Sequence, residues 1–111
     1  MPTELVLLCD DEPSSQVIDE VGGRLLPGGA LLEYGDGQVR QWVDQTGRAV
    51  LSVFAGRPVT VRADADRAVH GGTDQYSRWV DMTVPYGDAR DGWALARALA
   101  AEVGGRVGQR G

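Results

Sequence analysis

The sequence predicts an α+β fold: a single domain on a mainly antiparallel β-sheet, a meander, with two α-helices packed on one face. Three observations predict it. A continuous apolar run opens the chain at Leu5–Cys9. Short apolar stretches separated by glycine-bearing turns then follow one another between residues 30 and 62. Apolar residues recur at helical spacing in two places only, after Pro13 and after Asp88. The expected order is β-α-β-β-β-β-β-α. The length of 111 residues suits one domain with one core. A hydrophobic content of 42% against 24% charged residues excludes a disordered polypeptide.

Glu4–Cys9 predicts a buried strand, central in its sheet, because it has no polar alternation. Asp10-Asp11-Glu12-Pro13 follows, and acids beside a proline suit the start of a helix. Ser14 and Ser15 are placed to cap it. Val17, Ile18 and Val21 supply its apolar face, and Gly22-Gly23 is expected to end it. Leu26-Pro27-Gly28-Gly29 has the residue order of a type II turn. Strands are expected at 30–34 and 38–43 around Gly35-Asp36-Gly37, a hairpin signal. Further strands are expected at 49–54, 58–62 and 76–84, with a loop over 63–75. In the last strand Val80, Met82 and Val84 share the face expected to meet the core. Asp88 is the expected N-cap of a second helix over 92–103, with Leu95, Leu99 and Val103 on one face. Gly104-Gly105 ends it, and residues 105–111 are expected to form a flexible tail in which Arg106-Val107 could add a short edge strand.

All 11 basic residues are arginine, and neither lysine nor asparagine occurs. That excludes Schiff-base chemistry, phosphate-loop lysines and serine–lysine dyads. Abundant arginine, glycine and alanine fit a GC-rich bacterial genome. The net charge of −5 is unevenly placed. Residues 1–44 hold nine acids against two arginines, and residues 45–111 hold nine arginines against seven acids. Phosphate-backbone binding needs a basic surface, so nucleic acid is not an expected partner. Cys9 is the only cysteine, so no internal disulfide forms. The opening apolar run is too short for a signal peptide, and no stretch approaches the roughly 18 apolar residues of a membrane span. The expected location is the cytoplasm, with no membrane association.

Leu5-Val-Leu-Leu-Cys-Asp-Asp-Glu-Pro13 resembles the opening of a response-regulator receiver domain, and Val80-Asp-Met-Thr-Val-Pro85 resembles that family's phospho-acceptor segment. The resemblance implies magnesium held by the paired acids beside Asp81. It covers about 15 residues. The family's phosphate-contacting lysine is absent, a meander separates the two segments, and too few residues follow Pro85 to complete that fold. Asp10, Asp11 and Glu12 could hold a hard cation only if a further ligand such as Asp81 converged on them. One cysteine and one histidine are too few soft ligands for zinc. Cys9 and His70 form the only conceivable nucleophile and base, and a cysteine ending a buried strand behaves as a small hydrophobe. No catalytic set, metal site or cofactor motif is therefore expected.

The expected function is a non-enzymatic protein-binding module, of inhibitor, immunity or regulatory type. Its expected partner is a basic protein, or a second copy forming a homodimer. The candidate interface residues are Asp10, Asp11, Glu12 and Asp19 for charge, and Trp42 with Arg40 and Trp79 with Arg78 for aromatic contact. Either both tryptophans lie on the outer face of the sheet, or the register is opposite and both are core. The alternatives are a small-ligand regulatory domain with the 63–75 loop as lid, and a metal-assisted carboxylate hydrolase.

Overall fold

A computed structural model describes residues 2–59, 76–85 and 89–110. The strands are β1 (Thr3–Cys9), β2 (Ala30–Tyr34), β3 (Val39–Val43), β4 (Ala49–Phe54), β5 (Arg57–Pro58), β6 (Arg78–Val84) and β7 (Arg106–Gln109). The helices are α1 (Ser15–Leu25) and α2 (Arg90–Glu102). The sheet order is β2-β3-β4-β6-β1-β7, with β5 also paired to β6 and every pairing antiparallel. This is the expected α+β architecture. Each helix joins two strands that run in the same direction with others between them, as in split β-α-β units.

One core lies between the sheet and both helices. Leu5, Leu7 and Cys9 of β1, Trp42 of β3, Leu51 and Val53 of β4, and Val80, Met82 and Val84 of β6 meet Ile18 and Val21 of α1 and Leu95, Ala96 and Leu99 of α2. β1 is central, as its apolar run predicts, and Leu5 through Cys9 are fully buried on both faces.

Three local expectations need correction. The helix does not stop at Gly22-Gly23 but continues to Leu25. Gly22 is there for packing: a Cβ on it would sit 2.6 Å from the Trp42 ring. The acids do not form the first turn of α1, which starts at Ser15; Ser14 is the N-cap and accepts from the Val17 amide at 3.2 Å. The C-terminal segment is a strand and not a tail. Val107 pairs with Leu7 and Arg106 with Leu8, because β1 otherwise leaves an unpaired edge.

The turns follow their residues. Gly28 has φ +89°, as a type II turn demands. Asp36 and Gly37, at φ +55° and +86°, are the central pair of the β2–β3 hairpin turn. At the end of α2 the Gly105 amide donates to the Ala100 carbonyl at 2.8 Å, closing a Schellman motif through Gly104 at φ +68°. The expected loop over 63–75, with His70, and Asp88 lie outside the described residues, and the N-cap of α2 is Ala89, with no side-chain capping bond, in place of the expected Asp88.

Candidate functional site

The acidic segment after β1 is a fastening. Asp10 Oδ1 accepts from the Ser77 amide at 3.0 Å and from its hydroxyl at 3.1 Å, pinning the start of β6. Glu12 reaches two partners. Its Oε2 accepts from the Gly56 amide at 2.8 Å, and its Oε1 lies 3.0 Å from Nη2 of Arg78. Gly56 lies where β4 passes into β5 and the pairing with β6 slips by one residue. A Cβ there would stand 2.6 Å from the Glu12 carboxylate. Only Asp11 of the three acids is left exposed without a partner among the described residues. Among those residues no group of three or more His, Cys, Asp or Glu side chains is placed to hold a metal ion. Asp81 does not converge on the acids, because it is held elsewhere.

The two tryptophans lie on opposite faces of the sheet, an arrangement neither sequence reading contains. Trp42 is on the helix face and 2% exposed. Arg40 shares its face and is 7% exposed, with Nη1 donating to the Pro13 carbonyl at 2.7 Å. Both are therefore buried within the fold. Trp79 is on the outer face, where it buries Val6 and Leu8 with help from Val59 and Tyr76. Its indole is nonetheless covered. The Arg57 guanidinium lies 4.8 Å and that of Arg110 5.8 Å from the ring centroid. Asp81 ties the cluster: it accepts from the indole N–H at 2.7 Å and pairs with Arg57 at 3.5 Å and Arg110 at 3.6 Å.

The outer face therefore has two halves. Over β1 and β6 it is covered by the tryptophan–arginine cluster. Over β2, β3 and β4 it is partly exposed among the described residues: Ser52 is buried, Val39 and Gln41 are half-buried, and three large apolar side chains are exposed. Tyr34 pairs with Val39, and Val39 with Phe54, so these three form one row across the strands. Leu32 lies in the next row, opposite Gln41 and Ser52. Leu32 is 39%, Tyr34 50% and Phe54 36% exposed. Their strand pairs are regular, so the backbone holds the patch rigidly. The sequence reading missed these residues because it followed tryptophan and charge. The available signal was alternation: Leu32 and Tyr34 share one face of β2, and the buried Trp42 fixes which face that is.

Beside this patch β2 is the edge of the sheet. On its helix side, Ser15 donates a hydrogen bond to Glu33. Ser15, Gln16, Asp19, Leu31 and Glu33 line a groove of about 530 Å³ between α1 and β2. Asp19 is exposed there, the one candidate residue besides Asp11 that remains on open surface without a partner among the described residues.

Cys9 is buried, and burial, with Glu12 adding to it, pushes its thiol from 9.0 up to about 11. It packs as a core residue. Among the described residues no helix is long and apolar enough to cross a membrane. Comparison with protein-family models, with curated proteins and with solved structures gives no match to this chain.

Proposed function

We propose that the chain is a protein-binding module whose contact surface is the outer face of β2, β3 and β4. The observation that carries the reading is the patch of Leu32, Tyr34 and Phe54, exposed together on one face at an open sheet edge. Apolar and aromatic side chains held on a regular sheet lose little entropy on binding, which suits a hot spot. The acids near it, Asp19 and Glu33, favour a basic partner and would speed its association at low salt. The proposed surface differs from the one expected from sequence, since Trp42 and Arg40 are buried and Asp10, Glu12 and Arg78 already make contacts within the chain.

The test compares the tagged protein with a Leu32→Asp/Phe54→Asp double variant in capture from lysate of the source organism, at low and high salt. Both substitutions are on exposed positions, so the thermal midpoint should change little. A stoichiometric partner retained by the parent and lost by the variant supports the reading. Equal capture by both, or recovery of the chain alone, overturns it.

A further inference from the structure

We propose that the open edge of β2 takes up an extended segment of a partner protein as an added strand, with basic side chains toward α1 and apolar ones on the outer face. This rests on the protein-binding reading above and names the chemistry of the partner. The first support is the edge itself. Among the described residues β2 pairs with β3 on one side and with nothing on the other. Its five residues include no proline, no arginine and no register shift, and its one charged side chain is Glu33. The opposite edge is protected: β7 is four residues long, begins with Arg106, contains Gly108 and is followed by Arg110. A strand edge with unpaired backbone groups beside an exposed apolar row is a template for strand addition.

The second support is the alternation on β2. Ala30, Leu32 and Tyr34 face outward, and Leu31 and Glu33 face the helix side. A strand laid against β2 shares this two-residue period. Every second side chain of it would fall beside Leu32 and Tyr34. The others would fall toward Glu33 and, across the groove, Asp19. The nearby cations do not reach the groove surface: Arg40, opposite Glu33 in register, is buried with Nη1 on the Pro13 carbonyl, and Arg24 reaches toward Glu102 of α2. The charge on the groove is thus an outward-facing acidic one.

The same charge argues against a second copy as the occupant. Antiparallel pairing of two β2 strands about Leu32 would bring Glu33 and Asp19 of both copies to one seam with no described arginine between them. In that register each Glu33 lies opposite Leu31 of the other copy and diagonal to its Glu33, so the like charges share a seam without being directly opposed, and their repulsion disfavours the pairing. A basic, alternating segment of a different protein meets no such repulsion.

The experiment uses the full chain and a nine-residue peptide of alternating arginine and valine, with an alternating glutamate–valine peptide as control. Backbone amide exchange is followed residue by residue by NMR. The expected result is slowed exchange confined to β2 amides with the basic peptide and none with the acidic one. An Asp19→Arg/Glu33→Arg variant that melts like the parent should bind the basic peptide at least tenfold more weakly. No protection of β2 at millimolar peptide, protection indifferent to the charge reversal, or β2 protection by self-association of the chain alone would each overturn the proposal. A partner captured through Leu32 and Phe54 while β2 amides stay unprotected would overturn strand addition and leave the protein-binding reading standing.

Discussion

At the scale of single residues, packing decides what charge and residue type left open. Trp42 and Trp79 share a chemistry and a strand setting, yet one is sealed by Gly22 and the other by two arginines on the opposite face. Sequence alternation separates the faces of one strand but does not say which face meets a helix. That requires the partner strands, and here Trp42 lies opposite Leu51 and Trp79 opposite Leu8. Cys9 was legible as a buried residue from its place in an apolar run, and it gives a pH prediction. Its thiol ionises near 9.0 when exposed and near 11 in the fold. Between those values the unfolded chain loses the proton and the folded chain keeps it, so stability falls as pH rises from about 9 to about 11. A shift of this size corresponds to about 3 kcal/mol across the window. Urea denaturation at several pH values should show this loss in the parent and not in Cys9→Ala; equal slopes would contradict it.

At the scale of elements, most of the chain was readable. The hairpin about Gly35-Asp36-Gly37, the glycine stop of α2 and the apolar run of β1 each follow from local residue chemistry. The failures are where a long-range partner decides. The flexible tail expected over 105–111 is one; the short edge strand that Arg106-Val107 allowed does form, with a single apolar residue, Val107, and no alternation, because β1 has an edge to fill. The Asp10–Glu12 segment resembled a helix start or a cation site, and it is instead the clip that holds β4, β5 and β6 at one end of the sheet. Replacing Glu12 by Ala should cost about 2 kcal/mol, since a bond to a charged group is lost and Arg78 is left half-buried without its carboxylate. The Gly56 amide should exchange faster in that variant. An unchanged denaturation midpoint would show that the register slip at Gly56 needs no clip.

At the scale of the whole molecule, the sheet divides labour between its faces. The helix face carries the core. The outer face is closed over β1 and β6 by Trp79, Asp81, Arg57 and Arg110, and among the described residues it exposes Leu32, Tyr34 and Phe54 on β2 and β4. The charge asymmetry of the sequence survives in a reduced form. Asp10 and Glu12 are used internally, while Asp19 and Glu33 remain beside the open edge. The proposed binding surface was therefore only partly legible: its sign of charge was in the sequence, but its location depends on sheet order, which no local pattern encodes.

The most direct measurement is site-specific photo-crosslinking in lysate of the source organism, with p-benzoylphenylalanine placed at position 34 and, as control, at position 97 on α2. Arg97 lies on the opposite side of the sheet from the open patch, against Trp93. The account predicts a cross-link to one partner protein from position 34 and none from position 97. Cross-linking from position 97 alone would place the contact on the helices and contradict the assignment of the outer face.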